Sequence, residues 1–329
     1  MTPTQPPGLY RPEFEHDACG TGFIAYLNGH ASHQIIADAL TMLENMEHRG
    51  ACGCDSDSGD GAGLLLQLPH WFFLEECTAL SIRLPEPGGY GVGMLFLPKD
   101  AATKSACRAV INAAGQQLGL PILGYRPVPV NPAGIGPTAL AAEPDMEQVF
   151  VLRPPGLATG EDFERKLYVL RRFITKTVAE TVPAAGDQFY FTSLSSQTIV
   201  YKGQLTTYQV RGYFPDLSDP RVTSAFGMVH SRFSTNTMPS WKLAQPFRHL
   251  AHNGEINTLR GNLNWFYAGV RSYVSPYFTR AEMDMLLPVI DSQQSDSACL
   301  DNIVEVLLHS GRPLPHVLMM LVPEAWDGN

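Results

Sequence analysis

Hydrophobic and polar residues follow two different periods along this chain, and each period predicts one kind of element. Apolar side chains recur every three or four residues in several long stretches, which is typical of amphipathic helices. Shorter apolar runs between glycine- and proline-rich segments are typical of buried strands. The predicted helices are residues 33–47, 101–118, 162–182, 259–270 and 297–309. The predicted strands are residues 21–27, 64–68, 91–97, 122–126, 147–152, 189–194, 198–201, 224–230 and 317–322.

The order of these elements indicates the fold class. Strands outnumber what a single parallel sheet with alternating helices would contain, and several lie too close in sequence for a helical crossover. Residues 189–194 and 198–201 are separated by a short polar connection, which predicts a hairpin. The pattern therefore favours an α+β fold with antiparallel sheets covered by helices.

Charge and composition exclude some classes of partner. The formal net charge is −9 over 329 residues, and such an acidic surface argues against a nucleic-acid or anionic-membrane partner. No apolar run approaches the roughly 18 residues of a membrane span. Residues 1–18 are proline-rich, then charged, and lack the apolar core of a secretory signal, so we expect a cytoplasmic protein. The same residues are typical of an extended leader.

Cys19 stands between this leader and the first predicted strand, and is followed by Gly20-Thr21-Gly22. If the chain were cleaved before Cys19, the new α-amino group would have a pKa near 7.7 and the thiol a pKa near 8.5. Such an amine can take the thiol proton near neutral pH, which gives one residue both a nucleophile and its base. The alternative from this segment alone is an ordinary cysteine at a strand edge.

Two polar segments after the strand at 224–230 could supply the remaining chemistry. The side-chain amide of Asn253 and the backbone N–H of Gly254 could form an oxyanion hole, although Asn-Gly is also a common tight turn. Arg232 could clamp a substrate carboxylate through a two-pronged, charge-assisted pair, or else form a surface salt bridge.

Taken together, the motifs resemble the class II glutamine amidotransferase domain of glutamate synthases. The resemblance covers nearly everything after residue 18. Its motifs, in order, are Cys19-Gly20-Thr21-Gly22-Phe23, His48-Arg49-Gly50-Ala51, Gly59-Asp60-Gly61-Ala62-Gly63, the segment around Arg232, His252-Asn253-Gly254-Glu255-Ile256-Asn257, Ser295-Asp296-Ser297 and Pro323-Glu324-Ala325-Trp326. Any one of them is a weak signal, but their order and spacing are specific.

The resemblance implies a role for each matching residue. Cys19 would attack the glutamine side-chain amide, with its freed α-amine as base, to give a thioester and ammonia. Asn253 and Gly254 would bind the tetrahedral oxyanion. Arg232 would hold the substrate α-carboxylate and Asp296 the α-ammonium group. The remaining substrate contacts would come from Thr235 and Asn236, and Asn236 stands where related amidotransferases often have histidine.

The same resemblance implies the wider context. The fold would be the four-layer αββα sandwich of N-terminal nucleophile hydrolases. Residues 1–18 would be removed on maturation, and residues 19–329 would be one domain of a much longer chain. Its ammonia would pass to 2-oxoglutarate in a synthase domain outside this sequence. FMN and an iron–sulfur cluster would belong to that longer protein. Its electron donor would be NADPH, NADH or ferredoxin, and its partner a small electron-donating subunit or ferredoxin.

Two rival functions are left open by the sequence. One is a class II amidotransferase that serves another acceptor, such as a sugar phosphate, a phosphoribosyl donor or aspartate. The other is a catalytically silent regulatory domain. No cofactor or metal site is predicted within the chain. Residues 55–60 echo a calcium loop, but Leu66 occupies the place of the closing glutamate.

Overall fold

The computed structural model describes residues 20–53, 55–232, 238–252, 256–270, 274–290 and 294–322. Eight strands are found there: β1 Thr21–Ala25, β2 Ala62–Gln67, β3 Tyr90–Leu97, β4 Ile122–Pro127, β5 Asp145–Leu152, β6 Tyr190–Ser195, β7 Thr198–Gly203 and β8 Phe226–Ser231. The α-helices in the same ranges are α1 His33–Asn45, α2 His70–Ala79, α3 Ala101–Gln117, α4 Pro137–Ala141, α5 Glu161–Thr181, α6 Gln209–Tyr213, α7 Leu259–Gly269, α8 Arg280–Leu286, α9 Asp296–His309 and α10 Leu314–Leu321.

These strands form two four-stranded antiparallel sheets, which confirms the α+β class with antiparallel sheets. The first sheet has the order β1-β8-β2-β7 and the second the order β4-β5-β3-β6. Side chains of β3 alternate between two hydrophobic clusters. Val92, Met94 and Phe96 join a core shared with the first sheet, α1 and α2. Leu95 and Leu97 pack with α3 and α5 instead. Both faces of β3 are therefore buried, which explains its nearly continuous apolar sequence.

A third cluster joins α5 to the helices that follow the first sheet. Tyr168 of α5 packs there with Leu286 of α8, Ile303 of α9 and Val317 of α10. Helix α9 begins at a serine cap, because the Ser295 hydroxyl accepts a hydrogen bond from the Ala298 backbone N–H at 3.3 Å. The cluster thus anchors α9 to the body of the domain.

The predicted strand at residues 317–322 is wrong, because this segment lies in helix α10. Val317 and Leu321 are its buried side chains, one helical turn apart, whereas Met319 is 75% exposed. A short apolar run fits either element, and two features favour the helix. Pro315 stands in the first turn, where it costs no hydrogen bond, and leucine and methionine are good helix formers.

The predicted hairpin of residues 189–194 and 198–201 is also wrong in its pairing. Both strands exist as β6 and β7, but they belong to different sheets. Side chains join them where a backbone ladder would otherwise run. Thr192 Oγ1 donates to the Val200 carbonyl at 2.8 Å, and the Val200 N–H donates to Ser193 Oγ at 3.2 Å. The connection therefore links the two sheets.

Helix α2 was not predicted, and neither were the short helices α4, α6 and α8. The first turn of α2 carries Trp71, Phe72 and Phe73, of which the two phenylalanines are fully buried and the tryptophan is 67% exposed. The other predicted strands and helices coincide with observed elements to within two or three residues. In the described ranges, no helix combines the length and apolar character needed to cross a membrane.

Candidate active site

The ends of three neighbouring strands converge at one edge of the first sheet. Antiparallel pairing places Thr21 opposite His230 and Ala62 opposite Ser231. The pattern continues one step beyond the strands, because the Ser231 N–H donates to the Gly20 carbonyl at 2.7 Å. The Arg232 N–H likewise donates to the Gly61 carbonyl at 2.9 Å. Residues 20, 61 and 232, which are far apart in sequence, therefore lie side by side.

Arg232 is buried at this edge, with 6% of its surface exposed. Its Nη1 lies 3.4 Å from the Asp60 carbonyl oxygen. Burial lowers the pKa of the guanidinium, and the negative charges of Asp60 and Asp296 partly offset that effect. An arginine remains charged even so. A buried cation of this geometry, held near two carboxylates, can recognise a substrate carboxylate.

The second acidic group belongs to α9. Asp296 is the first residue of that helix, where a negative charge interacts favourably with the helix dipole. Its Oδ1 accepts the Ser297 backbone N–H at 3.1 Å. The tertiary structure thus brings Arg232 and Asp296 into electrostatic contact across 64 positions of sequence. The predicted roles require such proximity, because Arg232 would bind the α-carboxylate and Asp296 the α-ammonium group of the same substrate molecule.

The glycines of Gly59-Asp60-Gly61-Ala62-Gly63 explain how the backbone comes so close. A Cβ at Gly59 would lie 2.2 Å from the Leu205 carbonyl oxygen, a backbone atom that cannot move aside without displacing the chain. Gly61 has φ +138° and a Cβ there would meet Ala244 Cβ at 2.9 Å. Side chains are therefore excluded at both positions. The glycines allow the close backbone packing that also places Asp60 beside Arg232.

We expect Gly59→Ala to destabilise the fold by about 3 kcal/mol, because the new methyl group must displace the backbone at Leu205. Urea unfolding would measure the change. The matched control is Gly261→Ala in α7, where the added Cβ would have no atom within 4 Å apart from its chain neighbours and the backbone of its own helix. That variant should be unchanged or more stable by up to about 1 kcal/mol. Equal stabilities for the two variants would contradict the packing role of Gly59.

A cleft of about 330 Å³ opens beside Arg232. Its walls come from residues 47–61, residues 205–209 and the end of β8. This volume is at the small end of the range for small-molecule sites. Thr206, Thr207 and Gln209 contribute polar side chains to the lining, together with Arg232 itself. Asp296 does not line this cleft, although its charge acts on Arg232.

The segment between β8 and α7 is tied to α9 by buried charges. Arg248 pairs with Asp301 at 2.9 Å and with Glu305 at 3.2 Å, and its Nη2 donates to Asn302 at 2.9 Å. The His249 N–H donates to Asp301 Oδ1 at 2.9 Å. Because α9 also begins with Asp296, the same helix fixes one candidate substrate contact and the chain that leads to Asn253.

One group of possible metal ligands occurs in the described part of the chain. Donor atoms of His249, Glu305 and His309 lie within 4.8 Å of one another. Glu305, however, already pairs with Arg171 and Arg248. Two guanidinium groups would repel a metal cation, so we interpret this group as an ion-pair network.

The segment that resembles a calcium loop, residues 55–60, also makes a structural contact. Asp55 accepts a hydrogen bond from the Thr138 hydroxyl at 2.7 Å.

His230 adds a pH-sensitive contribution to stability. It is 1% exposed, and burial lowers its pKa from 6.5 to about 4. Between these two pH values the unfolded chain binds a proton that the folded chain excludes, so stability falls as the pH falls. We expect this loss to reach about 3 kcal/mol at pH 4. Urea unfolding of the unchanged chain and His230→Gln across this window would measure it, and parallel profiles would contradict it.

Several predicted site residues lie outside the described ranges: Cys19, Thr235, Asn236, Asn253 and Gly254. Their roles stay predictions. For Arg232 and Asp296 the structure provides positions, and it brings the two together. Asp60 was not singled out for the site by the sequence, although its glycine-rich motif was the available signal. His230 begins the polar segment around Arg232 but the sequence implied no role for it, and Gln245 carried no signal of its own.

Comparison with known proteins places these motifs in a family. A sequence profile of the glutamine amidotransferases of class II matches residues 19–329. The large chain of NADPH glutamate synthase from Bacillus subtilis is 48% identical, and the match covers 100% of this chain. Ferredoxin-dependent glutamate synthase 2 from Synechocystis is 42% identical over 95% of this chain. NADH glutamate synthase from Schizosaccharomyces pombe is 42% identical over 98% of it.

These relatives are several times longer than the matched segment. The alignments cover 21% of the Bacillus protein, 20% of the Synechocystis protein and 15% of the Schizosaccharomyces protein. What this chain shares with them is therefore one region, which begins at Cys19 in the family profile. The profile spans nearly the whole chain and includes Arg232, Asp296 and every other predicted site residue, so the chain belongs to the class II glutamine amidotransferases.

Proposed function

We propose that this chain hydrolyses L-glutamine to L-glutamate and ammonia through a thioester on Cys19, formed once residues 1–18 have been removed. The observation that carries the proposal is the buried Arg232 guanidinium, held beside Gly20 at one sheet edge with Asp60 and Asp296 in electrostatic reach. Gly20 is bonded directly to Cys19. The proposed nucleophile is therefore joined to the strand end that also positions the proposed carboxylate clamp.

The chemistry divides into two steps. In the first, the free α-amine of Cys19 takes the thiol proton, and the thiolate attacks the glutamine side-chain carbonyl. The oxyanion would be stabilised by Asn253 and Gly254, and the proton would pass to the leaving nitrogen to release ammonia. In the second, water attacks the thioester to give glutamate and restore the thiol. Arg232 and Asp296 would hold the α-carboxylate and α-ammonium groups throughout, with Thr235 and Asn236 as further contacts.

The acceptor of the ammonia is proposed from the relatives. All three compared relatives are glutamate synthases by name, and the names of the Bacillus, Schizosaccharomyces and Synechocystis proteins specify NADPH, NADH and ferredoxin respectively as electron donor. We infer that this region delivers ammonia to 2-oxoglutarate in a synthase domain of the same longer chain, and that it adopts the four-layer αββα arrangement of N-terminal nucleophile hydrolases.

FMN and an iron–sulfur cluster, expected for that longer protein, would lie outside this chain. Iron–sulfur clusters need several cysteine thiolates around one centre. Cys77, Cys107 and Cys299 are instead buried in three different helices, α2, α3 and α9. These three residues do not fit such a cluster.

An ammonia-release assay tests the proposal. The chain that begins at Cys19 should hydrolyse glutamine, whereas the chain that begins at Met1 should be inactive because residue 19 then has an amide nitrogen instead of an amine. N-terminal sequencing of purified protein would show which form is present. A processed chain that releases no ammonia would support the silent regulatory domain. Equal rates with and without the leader would contradict the role of the α-amine.

A further inference from the structure

The buried side-chain amide of Gln245 is hydrogen-bonded to the loop that leads to the proposed oxyanion hole. The His252 N–H donates to Gln245 Oε1 at 2.9 Å, and Gln245 Nε2 donates to the His252 carbonyl at 3.1 Å. The two bonds together settle which end of the amide is which, because the N–H needs an acceptor and the carbonyl a donor. Gln245 is 5% exposed. Its side chain therefore holds both backbone groups of the residue that precedes Asn253.

His230 completes this attachment from the first sheet. Its Nε2 lies 2.9 Å from the same His252 carbonyl oxygen, and the residue is 1% exposed. Burial keeps the imidazole neutral at neutral pH, so Nε2 can carry the proton and donate it. His230 is part of β8, two residues before Arg232. The loop is thereby tied to the strand that positions the carboxylate clamp.

Gln245 is itself anchored by its backbone. A Cβ at Gly63 of β2 would lie 2.8 Å from the Gln245 carbonyl oxygen, so the two backbones are in direct contact. One residue earlier, the Ala244 carbonyl accepts a hydrogen bond from the fully buried Lys202 at 2.7 Å. A rigid strand pair thus supports Gln245, and Gln245 in turn supports His252.

We propose that Gln245 is a positioning residue for glutamine hydrolysis, which sets the Asn253–Gly254 donors against the developing oxyanion by fixing the His252 backbone. This inference rests on the proposed function. Oxyanion donors act only when they lie within hydrogen-bond distance of the place where charge develops. Loss of the Gln245 bonds should therefore weaken stabilisation of the transition state and leave binding of the substrate by Arg232 and Asp296 largely intact.

The test compares two near-isosteric variants in the chain that begins at Cys19. Gln245→Met removes both bonds, and Gln245→Glu keeps the acceptor for the His252 N–H while losing the donor to its carbonyl. We expect kcat for ammonia release to fall about 100-fold in Gln245→Met and by a smaller factor in Gln245→Glu, since a misplacement near 1 Å costs about that much. KM should change less than about threefold. The matched control is Gln117→Met, an exposed position at the end of α3.

A second measurement separates positioning from a general loss of structure. Alkylation of Cys19 by iodoacetamide displaces iodide without forming an oxyanion, so its rate should be the same in Gln245→Met and in the unchanged chain. Slowed alkylation, a raised KM with unchanged kcat, or full turnover in Gln245→Met would each overturn the proposal. If the unchanged processed chain releases no ammonia while its Cys19 alkylates normally, the proposed function itself has failed, and the two failures are thus distinguishable.

Discussion

Replacing Cys19 with alanine is expected to abolish ammonia release from glutamine and to leave the fold intact. The proposed thioester needs the sulfur atom, and no other group at residue 19 of that variant can form it. The α-amine and the oxyanion donors would remain, but without the thiol the site contains no protein nucleophile to attack the substrate amide. The measurement is ammonia release by the processed variant, together with its urea unfolding curve, which should match that of the unchanged chain.

A different thiol provides the control for that result. Cys107 is fully buried in α3, and burial raises the pKa of its thiol, which disfavours the reactive thiolate. Cys107→Ala should lose some stability by leaving a small cavity, yet retain ammonia release. Full activity in Cys19→Ala would refute the assignment of the nucleophile. Activity lost in Cys107→Ala, with the protein still folded, would show that the assay does not report on Cys19 alone.

Arg232→Gln is expected to lower kcat/KM for glutamine by about 100- to 1000-fold, mainly through KM. Losing one partner of a desolvated, hydrogen-bonded charge pair costs about 3–4 kcal/mol, within the range for such truncations. The variant also removes the positive charge with which Asp60 and Asp296 both interact. The kcat/KM of Arg232→Lys should lie between those of the unchanged chain and Arg232→Gln, because an ammonium group keeps the charge but cannot form a two-pronged pair with a carboxylate.

A truncated substrate makes this second test specific. 4-Aminobutanamide is glutamine without its α-carboxylate, and the unchanged chain should discriminate strongly against it. Arg232→Gln should lose most of that discrimination, since the residue that recognises the carboxylate is gone. Arg280→Gln, at an exposed position in α8, is the control and should behave like the unchanged chain. Undiminished discrimination in Arg232→Gln would assign carboxylate recognition to another residue.

The accuracy of the sequence predictions followed the strength of the local signal. Residues 162–182 were predicted as a helix because their apolar period is long and regular, and α5 spans Glu161–Thr181. The error at α10 arose where six apolar residues fit either period. The β6–β7 pairing failed for another reason: a short connection permits a hairpin, but whether two strands pair depends on which neighbouring strand offers a free edge.

The candidate site shows the same division. By itself the sequence determined the candidate residues for the proposed chemistry, since Cys19 after a predicted leader, Arg232 after a strand and the Asn253–Gly254 pair are local motifs with local chemical meaning. The tertiary structure decided what stands beside them. Arg232 meets Asp60 and Asp296 only because three strand ends and one helix terminus converge.

Gln245 and His230 illustrate most clearly what the sequence could not reveal. Gln245 belongs to no local motif, and the motif that begins at His230 implied no role for that residue. Their effect on His252 depends on hydrogen bonds across 7 and 22 positions of sequence. Such contacts form when packing removes water from polar groups, which must then find partners within the fold. Composition and periodicity describe how a segment interacts with solvent and with itself. Which buried polar groups satisfy one another is decided only when the segments are brought together.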